Sequence, residues 1–228
     1  MTDPVRCDGA TRRFTSRGIP PLTAVDAVDL VVRSGEFVAI EGPSGSGKTT
    51  LLGLLSGIDR PNAGKVTILG HDLSRLSALE RARLRRSQIG IVFQSFGLVA
   101  ALDVGENIAL PLTLAGLDPA ARLARAESGL EEVGLGGAIH ARIAELSGGE
   151  RQRIAVARAL ITNPRLILAD EPAGSLDDET AGRVIDLLER TCRVRGASLV
   201  LVTHDPNSAS RADRRIAMLD GRLLEGAA

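Results

Sequence analysis

Short apolar runs alternate along the chain with segments whose apolar residues recur every three to four positions, as when strands and helices take turns in an α/β sheet protein. Strands are predicted at 25–32, 37–40, 65–69, 89–93, 166–169, 198–202 and 215–219. The runs Leu166-Ile167-Leu168-Ala169 and Leu199-Val200-Leu201-Val202 lack polar alternation, which suits strands buried on both faces of a parallel sheet. Ser34-Gly35 and Arg60-Pro61-Asn62-Ala63-Gly64 read as turns, and Asp220-Gly221 as a hairpin turn. From 95 to 162 strand character fades. There Asp118-Pro119 supplies an N-cap and a first-turn residue, followed by Leu123, Ala126, Leu130 and Val133 at helical spacing. The expected organisation is one domain over 1–228, with an α/β core at about 1–94 and 163–228 and a helical insertion at about 95–162.

Composition narrows the functional classes. The 228 residues suffice for one sizeable core. Lys plus Arg and Asp plus Glu balance at 28 each, so no general attraction to nucleic acid or anionic lipid is built in. Lys48 and Lys65 are the only lysines. No stretch approaches the roughly 18 consecutive apolar residues of a membrane span. The opening MTDPVRCDGA lacks the charged-then-apolar pattern of a signal peptide. Cys7 and Cys192 stand alone and are expected to be reduced thiols of a cytoplasmic protein. Work at a membrane would then require a partner.

Three segments carry chemistry. Gly42-Pro43-Ser44-Gly45-Ser46-Gly47-Lys48-Thr49 fits the pattern G-x-x-x-x-G-K-[ST], and it sits between a predicted strand and an apolar helix opening at Thr50. Small residues let backbone N–H groups wrap phosphate oxygens, the helix N-terminus adds positive dipole, Lys48 adds charge and Thr49 a hydroxyl for Mg²⁺. Asp170-Glu171 follows a buried strand, at the sheet edge where ligands bind in open parallel sheets. Asp170 can hold the metal and Glu171 can polarise an attacking water, unless the two are merely solvated acids ending a strand. Leu146-Ser147-Gly148-Gly149-Glu150 has the S-x-x-E spacing of a capping box, and its glycines leave a helix end uncovered. That is either a capped helix and nothing more, or a second anion-binding end.

Through these segments, in this order, the chain resembles the ATP-binding cassette ATPases over nearly its whole length. Gln94 resembles the glutamine of the family's Q-loop, residues 146–150 the signature, Ser175-Leu176-Asp177 the D-loop, and His204 the switch histidine. The resemblance implies a P-loop NTPase core of mainly parallel sheet, an N-terminal antiparallel β portion and a helical insertion. It implies an ATPase working as a homodimer, each ATP lying between one chain's phosphate loop, Thr50 included, and the other chain's Ser147-Gly148-Gly149 and Asp177. Mg²⁺ would be held by Thr49, Asp170 and Gln94; Glu171 would be the base and His204 would contact the terminal phosphate. The family stacks adenine on an aromatic residue ahead of the core strands, a role open to Phe14, which could equally be a core residue.

The stretch from Leu76 to Arg86 leading into 89–94, the stretch 168–177 and the stretch from Glu106 to Leu112 resemble the group of lipoprotein-releasing, macrolide-exporter and cell-division ATPases. Departures from that group are Ala173, Glu150 and Leu102-Asp103-Val104-Gly105. The implied role is to power a separate permease from the inner face of the cell membrane, in export or in lipoprotein, peptide or drug release. The alternative is a related soluble ATPase acting on nucleic acid or on a cell-division complex. The arginines from Arg81 to Arg86 read as a solvated helix face in preference to a nucleic-acid patch. A cleft lined by Phe96, Leu98, Val99 and Leu102 is expected to dock a permease helix, unless these residues pack the insertion's own core.

Overall fold

The computed structural model describes residues 2–16 and 18–224. Its central sheet has the order β10-β9-β3-β8-β7-β6, with β3 Phe37–Glu41, β6 Ile89–Val92, β7 Leu166–Asp170, β8 Ser198–Thr203, β9 Arg214–Leu219 and β10 Arg222–Leu224. All neighbours are parallel except β10, which turns back on β9 through Asp220-Gly221. An antiparallel sheet, β2-β1-β4-β5, is built from β1 Val5–Ser16, β2 Ile19–Val32, β4 Ala63–Ile68 and β5 His71–Asp72. Ser34-Gly35 carries the chain from one sheet to the other.

The continuous apolar runs have a plain cause. Val38, Ile40, Leu166, Leu168, Val200 and Val202 pack towards the antiparallel sheet and α1 (Lys48–Leu55). Phe37, Ile167, Ala169, Leu199 and Leu201 pack the other way, under α5 (Gly148–Leu160) and α6 (Asp178–Arg195). A strand covered on both faces has no position to spare for a polar residue.

Between β6 and β7 come α3 (Val104–Leu114), α4 (Pro119–Glu132), a short 3-10 turn (Ile143–Glu145) and α5. Asp103 and Ser147 each form a reciprocal capping box, with Glu106 and Glu150, and Asp118 caps α4. Asn107 is fully buried on α3, where its amide bonds the backbone of Val99, Leu102 and Asp103 and fixes the irregular stretch before the helix. Helix α5 belongs to both halves: it packs on α3 and α4, while Val156, Ala159 and Leu160 share a cluster with Ile167 and Leu199 of the sheet.

The helix α2 (Ala78–Gln88) corrects one expectation. Arg81 is buried and donates to the carbonyls of Gly57 and Leu76 at 3.1 and 2.9 Å. Arg85 donates to Gly57 at 2.9 Å and Arg86 to Leu114 at 2.6 Å. Three of these arginines therefore tie the protein's own backbone together and are not a solvated face. A guanidinium with several fixed donors can satisfy carbonyls at a helix end that no other side chain reaches.

Candidate active site

The C-terminal ends of the adjacent strands β3, β8 and β7 bring three loops together. The loop at 42–49 follows β3, Asp170 ends β7 with Glu171 next, and Thr203-His204 close β8. Two glycines of the first loop are forced by close approach. A Cβ at Gly42 would lie 2.2 Å from the Met218 carbonyl oxygen, and one at Gly47, whose φ is 104°, would lie 2.1 Å from that of Ala24. The loop is thus clamped between β2 and the β9–β10 turn, where Gly221 also donates to the Ser46 carbonyl at 2.9 Å.

This loop is built for an anion. The N-terminus of α1 has no side-chain cap, so its first N–H groups remain free to face a ligand. The Ser46 hydroxyl is buried without a partner. Lys48 is only 7% exposed, and its Nζ donates to the carbonyls of Gly42 and Pro43 at 2.7 and 3.0 Å. Its Nζ also lies 4.0 Å from Oε1 of Glu171. A buried ammonium resting on two neutral carbonyls and a more distant carboxylate is well placed to exchange them for phosphate oxygens.

Beside it, the Thr49 hydroxyl donates to Asp170 at 3.2 Å. Burial pushes the Asp170 carboxyl above its ordinary value, against the Thr49 bond, with the neighbouring Glu171 charge adding to the rise and Lys48 opposing it. A hydroxyl next to a partly desolvated carboxylate is an all-oxygen donor set, which suits a hard divalent cation. Gln94 is not drawn into this pair: its amide lies by Gly174, and no hydrogen bond joins it to Thr49 or Asp170.

Glu171 is the most constrained residue of the group. It is buried with φ of 45°, a left-handed conformation that a non-glycine residue holds only under the pull of its surroundings. Its N–H is fixed by the Val202 carbonyl at 2.9 Å. Oε2 accepts from Thr203 at 3.1 Å, and Oε1 lies 2.9 Å from Nδ1 of His204. An ionised carboxylate only accepts, so that contact puts a proton on Nδ1, while the His204 side chain stays 61% exposed. Thr203 was missed in the sequence. The signal was a hydroxyl residue ending an otherwise apolar buried strand, next to a histidine already singled out.

The remaining residues lie elsewhere. Ser147 caps α5, sharing bonds with Glu150, and a Cβ at Gly149 would meet Thr180 of α6 at 2.5 Å. Asp177 caps α6 by accepting from the Thr180 N–H at 3.0 Å. Ser147, Gly148, Gly149, Ser175 and Asp177 line one concave surface, which shares no residue with the phosphate loop. Phe14 on β1 is 40% exposed, so it is not a core residue. The cleft beside the Gln94 segment is lined by Ile58, Phe93, Leu110, Pro111 and Leu114. Of the side chains expected there, Leu98 packs into the core beneath α3 and Leu102 lines a different groove, against α4, while Phe96 and Val99 are not part of this cleft. Two further groups are chemically silent: burial holds the thiols of Cys7 and Cys192 protonated, each pushed up to about 12.

A family model described as ABC transporter matches residues 25–174. The chain belongs to the ABC transporter family. The cassette is 44% identical over 223 residues to the lipoprotein-releasing system ATP-binding protein LolD of Chromohalobacter salexigens, covering 98% of this chain and 94% of that one. It is 46% identical over 215 residues to the macrolide export ATP-binding/permease protein MacB of Marinobacter nauticus, spanning 94% of this chain but 33% of that protein. Among solved structures, the ATP-binding cassette MJ0796 in a dimeric post-hydrolysis state bound to ADP and Pi superposes with a TM-score of 0.89, at 37% identity and 96% coverage of both chains. The cassette is accordingly an ATPase subunit that drives a membrane permease. Among the described residues no helix is long and apolar enough to cross a membrane.

Proposed function

We propose that the cassette hydrolyses ATP as a homodimer, each nucleotide closed between the phosphate loop of one chain and Ser147-Gly148-Gly149 of the other. One observation carries this reading: the signature surface and the phosphate loop of a single chain have no lining residue in common. Two helix ends suited to anions, on separate surfaces of one chain, meet on one nucleotide only when a second copy supplies the other half. In this arrangement the loop 42–50, through the backbone N–H groups after Pro43, holds the phosphates together with Lys48, Phe14 stacks on the base, and Asp177 lies at the boundary between chains. Thr49 and Asp170, with Gln94 brought alongside, are the residues that would hold Mg²⁺, whose charge would offset that of the phosphate oxygens. Glu171, steadied by Thr203 and His204, removes a proton from the attacking water, and Nε2 of His204 meets the terminal phosphate.

The composite site makes a direct test. Lys48→Ala disables a site through its loop, and Ser147→Arg disables one through its signature surface. Each variant alone is expected to be inactive, whereas an equal mixture forms heterodimers with one intact site. Recovery of about a quarter of wild-type phosphate release is expected for random pairing of independent sites. No recovery at any mixing ratio would mean that each chain completes its own site.

The relatives named for lipoprotein release and macrolide export support export or lipoprotein, peptide or drug release as the work performed, at the inner face of the cell membrane. The permease is placed in the cleft between α2 and α3. Ile58 and Leu114 expose 55% and 62% of their surface there, and Arg85, Arg86 and Arg158 line it without a carboxylate. That combination favours an apolar cytoplasmic helix bearing acidic groups. Ile58→Asp combined with Leu114→Asp is expected to reduce co-purification of the permease at least tenfold while nucleotide affinity stays unchanged. Wild-type recovery of the permease would place the dock elsewhere.

A further inference from the structure

Phe14 does not stand alone. Arg12, two residues earlier on β1, shares its face of the strand, and the guanidinium carbon lies 4.6 Å from the ring centroid. Arg12 is held in turn from below. Its NH2 donates to Asp59 at 3.4 Å, and Asp59 is packed over Gly53 of α1, with its N–H bonded to the Gly53 carbonyl at 3.0 Å. The Nε of Arg12 is buried with no partner, so this cation is not seated by an optimal set of hydrogen bonds. What the side chain gains in that position is contact with the ring.

We infer that Arg12 is a positioning residue for the purine base, acting through Phe14. This deepens the reading of Phe14 as the stacking platform and depends on it. Arg12 covers one face of the ring, so the base takes the face left to solvent. The covering does two things. It removes the ring's freedom to turn, which a base would otherwise have to restrict on binding. It also draws the ring's electron density towards the cation, which strengthens stacking of an electron-rich purine on the opposite face. Through Asp59 the platform is joined to α1, the helix that begins at the phosphate loop, so base and phosphate sites keep a fixed separation.

The test compares two probes that both use the phosphate loop, only one of which has a base: ADP and inorganic pyrophosphate, each with Mg²⁺, by calorimetric titration of the intact chain. Phe14→Ala is expected to weaken ADP at least fivefold, the scale of base stacking on an aromatic side chain. Arg12→Ala is expected to weaken ADP about three- to fivefold, the scale of an exposed cation–π contact. Pyrophosphate should bind all variants equally, which also reports an intact loop. The double variant should be no weaker for ADP than Phe14→Ala, and Arg12→Lys should regain part of the loss. Equal weakening of ADP and pyrophosphate by Arg12→Ala would make Arg12 a structural residue and overturn the inference. Additive effects in the double variant would overturn it too, by giving Arg12 its own contact with nucleotide. Unchanged ADP affinity in Arg12→Ala, with Phe14→Ala weakened, defeats the inference alone. Unchanged affinity in Phe14→Ala defeats the platform reading itself.

Discussion

Glu171→Gln is expected to slow ATP hydrolysis by about a hundred- to ten-thousand-fold, the span assigned to a positioned general base, while ATP remains bound. The amide keeps the size of the carboxylate and one acceptor oxygen, and the Thr203 hydroxyl can turn to accept from its NH2, so Thr203 and the backbone bond to Val202 continue to hold the residue in its left-handed conformation. What disappears is the capacity to accept a proton from water. The uncleaved nucleotide should then hold two chains together. Single-turnover phosphate release measures the first effect, and gel filtration with and without ATP measures the second. A variant that hydrolyses at more than a tenth of the wild-type rate would remove Glu171 from the role of base. One that stays monomeric in saturating ATP would count against the two-chain site.

Lys48→Ala should weaken MgADP binding about a hundredfold, the scale of two charge-assisted hydrogen bonds lost from a dry site. The effect is large because Lys48 is buried and has no substitute: the only other lysine, Lys65, reaches Asp72 at 3.6 Å on the antiparallel sheet. The fold should survive, since the Lys48 ammonium rests on the carbonyls of its own loop and ties no distant elements together except through Glu171. Calorimetric titration gives the affinity, and a thermal melt within a few degrees of wild type separates lost chemistry from lost structure. Undiminished affinity in a folded variant would exclude Lys48 from phosphate recognition.

The sequence was most informative where one physical demand controls several neighbouring residues. Residues 166–169 and 199–202 betray strands covered on both faces, and residues 42–49 betray a loop in which only small side chains fit under Met218 and Ala24. It was least informative where alternation is interrupted. The strand β1 escaped because its register shifts between Cys7 and Ala10 and again between Ala10 and Arg12, so buried and exposed positions change parity, and because Arg6, Asp8, Arg12 and Arg13 make it polar. Burial of Arg81 was equally hidden, since its partners are the backbone carbonyls of Gly57 and Leu76, which have no letter in a sequence. A docking cleft was expected beside the segment after Gln94, lined by Phe96, Leu98, Val99 and Leu102, whereas the concave surface found beside that segment is lined by Ile58, Phe93, Leu110, Pro111 and Leu114. Its wall comes from α3 and from Ile58, which is far from Leu98 in the chain and brought near only by the fold.

Helix α5 has a mechanical consequence. It starts at Ser147, on the surface assigned to the neighbouring chain's nucleotide, and near its far end Arg158 grips the carbonyls of Phe96 and Gly97 at 2.8 and 2.5 Å. Those carbonyls belong to the turn that follows Gln94 and borders the cleft proposed to dock the permease. Eleven residues of helix make a strut of about 16 Å, stiff over that length. A push received at Ser147 therefore arrives at the turn without being absorbed by a loop. In the proposed arrangement, where Gln94 is brought alongside Thr49 and Asp170, the same turn would also be tugged from its other end by the chain's own nucleotide. Each permease contact would then sum two inputs, one from either ATP, and a stroke begun by only one of them would be incomplete.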